Sequence, residues 1–154
     1  MIKINSSHIS EFVGTFFLTA VVIGSGIMAE NLSQGNHAVS LLGNTIATGA
    51  ILFVLIKSFS SISGAHFNPV LSLVFLIKKE IALPDILKYV FFQFLGALLS
   101  VASVHYYFGQ QIIQISTNSR GGTEMIFSEV IATFGLIITI LFVRKNNPKD
   151  VASA

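Results

Sequence analysis

The stretch "SGAHFNPV", residues 63–70, decides the fold of this chain, because it interrupts two long apolar segments with residues that stop and start helices. Gly64 favours a break in the backbone. Asn68 is a preferred N-cap, and Pro69 suits the first position of a new helix. The stretch therefore predicts that one helix ends and another begins within it.

The composition indicates a polytopic membrane protein. Of 154 residues, 53% are hydrophobic and only 10% are charged, and the mean hydropathy is +0.78. A soluble domain carries about 25% charged residues. The chain has no cysteine, which excludes disulfides and thiolate metal sites. A net charge of +2 is too small to suggest nucleic acid as a partner.

Four apolar segments are long enough to cross the hydrocarbon core, which takes about 20 helical residues. They run over Ile9–Ala29, Leu41–Ser58, Ile86–Phe108 and Met125–Val143. The placement of lysine and arginine then predicts the orientation, since cytoplasmic loops are enriched in both. With both termini cytoplasmic, Arg120 alone among the nine basic residues lies outside. The others are Lys3, Lys57, Lys78, Lys79, Lys88, Arg144, Lys145 and Lys149.

The apolar stretch that follows "SGAHFNPV" is too short to cross. It ends at Ile77, and a crossing there would put Lys78 and Lys79 outside. We therefore predict a re-entrant half-helix over 68–77, of roughly half the membrane thickness at 1.5 Å per residue. Its N-terminus would expose unpaired N–H groups and a partial positive charge near the bilayer centre. The alternative is a cytoplasmic turn over 63–70 and an interfacial helix over 71–77, although no amphipathic pattern supports it.

Two spans open on a similar pattern. "EFVGTF" begins at Glu11 and "EVIATF" begins at Glu129, 118 residues later. Three crossings separate them, so the copies would have opposite orientation, as in inverted-repeat transporters. A carboxylate within a span is a functional-site hypothesis, unless it lies near the span end and reaches the headgroups. A second half-helix would be expected near position 186, beyond Ala154.

These residues together resemble the aquaporin and glycerol-facilitator family, the major intrinsic proteins. Residues 63–70 match the first pore signature S-G-A-H-x-N-P-A, with Val70 in place of alanine, and "QFLGA" from Gln93 matches the third-helix pattern. The resemblance implies an all-α membrane protein with an aquaporin-like inverted-repeat bundle. The chain would hold the first half, with three transmembrane helices and one re-entrant half-helix, together with the fourth transmembrane helix.

The resemblance also implies the roles of individual residues. Asn68, Pro69 and Val70 would form the pore motif, with the Asn68 amide donating to the passing molecule. Thr48, twenty residues earlier, would contribute to the outer selectivity filter, where a small polar residue suggests a wider opening. The inner vestibule would be lined by Gly64, Ala65, His66 and Phe67. The alternative for His66 is a hydrogen-bonded structural histidine. The residues supporting the pore loops would be Glu11, Glu129 and Gln93.

We thus predict a single, partial aquaporin-like transmembrane domain over 1–154. It would comprise a first repeat over 1–108, the first helix of an incomplete second repeat over 125–143, and a cytoplasmic tail over 144–154. The predicted function is passive movement of water or small neutral solutes, such as glycerol or metalloid hydroxides, across the cell membrane. No catalytic residue, metal or other cofactor is predicted.

As an incomplete channel, the chain alone is expected to show little permeation. A complete form would be a homo-oligomer, a tetramer by resemblance. The alternative is a non-transporting membrane subunit, or the product of a broken gene, that needs a partner chain to form a pore.

Overall fold

The structure, a computed structural model, describes residues 4–114, 121–146 and 151–152. These residues form α-helices and no β-strand. The helices are α1 (Ser6–Leu32), α2 (His37–Ser63), α3 (Pro69–Ile77), α4 (Leu83–Tyr107) and α5 (Thr123–Asn146). All but α3 are long and apolar enough to cross a membrane. The protein is therefore an all-α, multi-pass membrane protein, as the composition predicts.

Polar side chains at the helix ends explain where α1 and α2 begin. The side chain of Asn5 accepts from the backbone N–H of His8 at 3.2 Å, and Nδ1 of His8 accepts from the backbone N–H of Asn5 at 3.1 Å. This reciprocal pair satisfies two backbone donors that would otherwise be unpaired. Asn36 caps α2 by accepting from the N–H of Val39 at 3.3 Å. Both helices therefore start before the apolar segments that define the predicted spans.

The second predicted span ends near Ser58, whereas helix α2 continues to Ser63. Serine is tolerated in this last part of the helix since its hydroxyl can bond to the preceding turn, as Ser58 does to the carbonyl of Val54 at 2.8 Å. Gly64 then ends the helix with a φ of +86°, in the left-handed region that glycine adopts without strain. The end of α2 is thus set by backbone conformation rather than by the loss of apolar residues.

Helix α3 is short, and it begins at Pro69 with Asn68 as its N-cap. Its last residue, Ile77, is followed by Lys78 and by Lys79, whose φ is +60°. The ammonium of Lys78 lies 3.1 Å from the carboxylate of Glu80. The chain then enters α4, which carries a proline in its first two positions.

The first compact unit, Met1–Ile112, is organised around α1. Helix α1 packs against both α2 and α4, and α3 packs against α4. A Cβ atom on Gly96 of α4 would lie only 2.5 Å from the carbonyl oxygen of Phe12 and 3.2 Å from the amide nitrogen of Phe16. A glycine at this position therefore lets the backbones of α1 and α4 approach closely, as small residues do in membranes.

The second compact unit, Ile113–Ala154, contains α5. Glu124 lies in the first turn of this helix, and Arg144 and Lys145 lie in its last turn. Both placements favour the helix, because its N-terminus is partially positive and its C-terminus partially negative. No described residue of α5 is buried.

Candidate functional site

The loop between α2 and α3 has an unusual backbone that is buried inside the first unit. Ala65 and Phe67 have φ values of +54° and +47°, a left-handed conformation that residues other than glycine adopt at a free-energy cost. Ala65, His66 and Phe67 are nevertheless almost fully buried. Such strained, buried backbone persists only where surrounding contacts hold it. The groups that hold this loop define the candidate site.

Glu11 is the centre of those contacts. Its carboxylate is completely buried and accepts hydrogen bonds from two consecutive backbone N–H groups, those of His66 at 3.0 Å and Phe67 at 2.7 Å. It also accepts from Oγ of Ser63 at 2.5 Å and from Nε2 of Gln93 at 2.8 Å. A carboxylate offers about four acceptor positions, so these four donors satisfy it. Glu11 thereby joins α1, the end of α2, the loop and α4.

Gln93 extends the network from Glu11 to α3. Its Nε2 also donates to Oγ of Ser72 at 3.1 Å, and Ser72 donates to the carbonyl of Asn68 at 3.2 Å. Nδ1 of His66 lies 3.0 Å from the same hydroxyl. Ser72 is completely buried, and its contacts with Gln93 and His66 are shielded from water. The first turn of α3 is therefore tied to α1 and α4 through polar side chains.

The ring of His66 is enclosed by aromatic residues. It stacks on Phe75 with ring centroids 4.6 Å apart and meets Tyr89 edge-on at 5.4 Å. The side chain of His66 is only 8% exposed. The imidazole is therefore buried and within hydrogen-bond distance of Ser72, and its place in a vestibule stays a prediction.

Asn68 lies where the buried network meets the open side of the unit. Its Oδ1 accepts from the backbone N–H of Val70 at 2.8 Å and of Leu71 at 3.4 Å. Asn68 is partly exposed, and Pro69 and Val70 are exposed. Because Oδ1 is committed to the cap, the amide nitrogen is the group that Asn68 can offer to a molecule outside the unit. The helix N-terminus adds a partial positive charge at the same place.

Thr48 belongs to a different network, at the contact between α1 and α2. Its hydroxyl donates to Oδ1 of Asn44 at 3.1 Å, and Nδ2 of Asn44 donates to the carbonyl of Val22 at 3.3 Å. Gly26 makes room for this amide, since a Cβ there would lie 2.8 Å from Nδ2.

Glu129 lies on α5 in the second unit, where it is exposed. The structure thus groups Glu11 and Gln93 with the loop and places Thr48 elsewhere on α2.

Sequence reasoning missed four polar residues of the network. They are Ser63, Ser72, Ser10, whose hydroxyl lies 3.4 Å from that of Ser63, and Tyr89, whose hydroxyl donates to the carbonyl of Ser63 at 3.0 Å. A single serine inside the apolar run "PVLSLVFLI" was a signal that could have pointed to Ser72, because a buried hydroxyl requires a partner.

In the described ranges 4–114, 121–146 and 151–152, no group of three acidic or histidine side chains could hold a metal ion.

The sequence matches the family model described as Major intrinsic protein over residues 1–154. It is 44% identical over 133 residues to the aquaglyceroporin AqpS of Rhizobium meliloti (strain 1021), an alignment covering 86% of this chain and 57% of that protein. It is 32% identical over 148 residues to the aquaporin NIP1-1 of Arabidopsis thaliana, covering 90% and 49%. Nodulin-26 of Glycine max is 30% identical over 141 residues, covering 90% and 51%. The chain spans about half the length of the curated relatives it matches.

Proposed function

Since this chain belongs to the major intrinsic protein family, we propose that it contributes α3 and its N-terminus to a passive transmembrane channel for water or small neutral solutes. The observation that carries the proposal is the geometry of Asn68. Its oxygen caps α3 through Val70 and Leu71, which leaves its amide nitrogen as a donor at the exposed end of a half-helix.

A site of this kind suits neutral molecules that accept hydrogen bonds. The amide of Asn68 replaces a hydrogen bond that a water or hydroxyl oxygen would lose on leaving bulk water. The positive end of α3 disfavours cations at the same point, as half-helix dipoles do in aquaporin-type pores. The Glu11 network supports this role, because it holds the strained loop that sets the position and direction of Asn68.

The small side chain of Thr48 favours a filter that admits a solute larger than water. It is small and half-buried, and its hydroxyl proton is directed to Asn44, so the oxygen is left as an acceptor toward a passing molecule. A relative with 44% identity is named an aquaglyceroporin. We therefore place glycerol-like polyols and metalloid hydroxides among the candidate solutes of this channel.

The pore in this proposal is completed by a second half-helix facing the N-terminus of α3. The exposure of Pro69 and Val70 on the first unit favours such a partner surface. It is supplied either by the same protein or, in the alternative of a non-transporting subunit, by another chain. The channel would lie in the cell membrane with both termini cytoplasmic and would assemble as a homo-oligomer, a tetramer by family resemblance.

The test is a chimera in which the chain is joined to the part of AqpS that lies beyond the matched region. We expect stopped-flow swelling of liposomes containing it to show glycerol or water flux. Asn68→Asp should abolish the flux, because aspartate keeps the cap but replaces the amide donor with a carboxylate. Asn36→Asp is the matched control, since Asn36 is also an asparagine N-cap, at the start of α2, and it should leave the flux unchanged.

Three outcomes separate the alternatives. A folded chimera without flux would refute the channel proposal. Flux from the chain alone that Asn68→Asp abolishes would refute the need for a second half-helix. Restoration of flux by a co-expressed separate chain, with none from the chain alone, would support the subunit alternative.

A further inference from the structure

A histidine closes the first turn of α1. His8 is the third residue of the helix, and its Nδ1 accepts from the backbone N–H of Asn5 at 3.1 Å, while its own N–H donates to the Asn5 side chain at 3.2 Å. This position of a capping box usually holds glutamate or glutamine, whose side-chain oxygen is always an acceptor. Histidine is an acceptor only in its neutral form, because both ring nitrogens carry a proton in the charged form. The cap of α1 therefore depends on the protonation state of His8.

The imidazole of His8 is enclosed by side chains of α4. His8 is only 1% exposed, and its ring stacks on Phe92 and meets Tyr89 edge-on, each with ring centroids 5.8 Å apart. Since Nδ1 is an acceptor, the proton of the neutral ring is on Nε2. Among the residues that the structure describes, none accepts a hydrogen bond from this buried Nε2. The site therefore fits a neutral imidazole and offers a charged one no hydrogen-bond acceptor.

The groups around His8 do not compensate a positive charge on its ring. A proton added at Nδ1 would face the backbone N–H of Asn5, so that two donors would oppose each other. On α4, the ammonium of Lys88 repels such a charge, and Asp85, which would attract it, is paired with Lys88 at 3.0 Å. Glu11 lies one turn further along α1, but its carboxylate already accepts four hydrogen bonds. Protonation therefore favours an open form, in which the first turn of α1 leaves α4 and the ring reaches water.

Tyr89 connects this end of α1 to the loop between α2 and α3. Its hydroxyl, which is neutral at physiological pH, donates to the carbonyl of Ser63 at 3.0 Å, and its ring meets that of His66 edge-on at 5.4 Å. Ser10, two residues after His8, has its hydroxyl 3.4 Å from that of Ser63. When His8 leaves its site, Tyr89 loses a ring contact on one side. Opening of the first turn of α1 therefore removes packing from a residue that supports the loop.

We propose that His8 is a pH switch, which holds the first turn of α1 against α4 at neutral pH and, in acid, releases that turn and loosens the α2–α3 loop. The closed form excludes the proton, whereas the open form binds it with the ordinary histidine pKa of about 6.5. The closed form is therefore fully stable above that value and loses stability as the pH falls below it. As a regulator of solute passage the switch rests on the proposed channel function, but the opening itself can be measured without transport.

Hydrogen exchange of the full chain in detergent, between about pH 7.5 and about pH 5, tests the switch. The rates are expressed as protection factors, which remove the direct effect of pH on amide exchange. We expect the protection of the Asn5 amide to fall by up to about 30-fold, because a site that excludes one proton loses about a factor of ten in stability for each pH unit below about 6.5. The protection of the amides of His66 and Phe67, which bond to Glu11, should fall over the same pH range.

His8→Gln is the matched variant, because glutamine is a standard capping-box residue at this position and does not titrate. We expect it to keep the protection at neutral pH and to remove the pH dependence at Asn5 and in the loop. His37→Gln, exposed at the start of α2, should leave the pH dependence unchanged. If His8→Gln does not fold, nitrogen NMR of the histidine-labelled wild-type chain tests the same claim. The ring of His8 should carry its proton on Nε2 at neutral pH and gain the second proton as the protection of Asn5 falls.

Three results would overturn the proposal. One is a wild-type chain whose protection at Asn5 stays constant down to about pH 5, well below the ordinary pKa of histidine. Another is the same pH dependence in His8→Gln, which would assign the effect to a different group. The third is release of the first turn with unchanged protection at His66 and Phe67, which would show that it is not coupled to the loop. Absence of flux from the chimera with AqpS concerns the channel at Asn68 alone and leaves these measurements valid.

Discussion

The residue on which the site depends most is Glu11, a buried carboxylate whose partners are all neutral donors. Two of them are backbone N–H groups of a strained loop, and the others come from Ser63 and Gln93. Each donor would be costly to bury without an acceptor. The carboxylate also lies close to the N-terminus of α3, where a negative charge is favoured by the helix dipole. The side chain of Glu11 therefore accepts the hydrogen bonds of the loop N–H groups and stabilises the N-terminus of α3.

Replacing Glu11 with glutamine should loosen this loop. Glutamine has nearly the same shape but presents an NH2 group to at least one N–H donor, and leaving a buried donor unpaired costs about 1–3 kcal/mol. We expect that loss in the free energy of unfolding in detergent, with faster hydrogen exchange at the amides of His66 and Phe67. Glu30→Gln, exposed near the C-terminal end of the same helix, keeps an oxygen for the hydroxyl of Ser40 and should change neither quantity. Equal exchange rates in the two variants would contradict this account of the loop.

Gly14 shows how closely the loop packs on α1. A Cβ atom at this position would overlap the ring of Phe67, and the surroundings of that ring, including Phe59, leave it little room to move. Gly14→Ala should therefore lower the free energy of unfolding by about 1–3 kcal/mol through overpacking. Gly49→Ala on α2 is the control, because nothing lies within 4 Å of its Cβ position. It should be neutral or slightly stabilising, and a similar loss in both variants would refute the steric argument.

At the scale of elements, α3 is held by polar contacts at its start and by apolar contacts along its length. Its N-cap, Asn68, and its buried Ser72 link it to the Glu11 network, while Leu71 and Phe75 are buried. A nine-residue helix would be marginal in isolation, since short helices rarely form without tertiary packing. Helix α3 therefore depends on α4, which provides the surface against which it packs.

The contact between α1 and α4 depends on Gly96. Gly96→Ala would bring a Cβ within 2.5 Å of a backbone carbonyl, which cannot rotate away as a side chain could. We expect the helices to separate and the free energy of unfolding to fall by about 1–3 kcal/mol. Gly135→Ala on α5 meets nothing within 4 Å and should gain up to about 1 kcal/mol of helix propensity. A thermal melt that ranks Gly135→Ala at or below Gly96→Ala would contradict this prediction.

At the scale of the whole molecule, the four apolar helices determine that the protein is embedded in a membrane, and its basic residues predict which way it is inserted. Lys78, Lys79 and Lys88 lie between α3 and the first turns of α4, whereas no lysine or arginine lies between α1 and α2. This asymmetry predicts that the α3–α4 connection faces the cytoplasm.

Single cysteines can check that orientation in intact cells. We expect Asn31→Cys, exposed at the outer end of α1, to react with a membrane-impermeant maleimide. Ala82→Cys, exposed before α4, should react only after the cells are opened. Labelling of both positions in intact cells, or of Ala82→Cys alone, would reverse or refute the predicted insertion.

The sequence by itself determined the membrane class, the four long helices and the family. These follow from apolar segment length, charge placement and one specific motif, which are local properties of the chain. It also pointed to Glu11, as a carboxylate within an apolar span, and to Asn68, as an N-cap before proline, whereas Gln93 followed from the resemblance to the family.

Only the tertiary structure decided which groups those residues meet. Glu11 bonds to Ser63, 52 positions away, and to Gln93, 82 positions away, and nothing local in the sequence shows that residues so distant in the chain meet. The structure likewise extended α2 past Ser58 to Ser63. The apolar pattern ends near Ser58, whereas the helix ends only where Gly64 takes a positive φ.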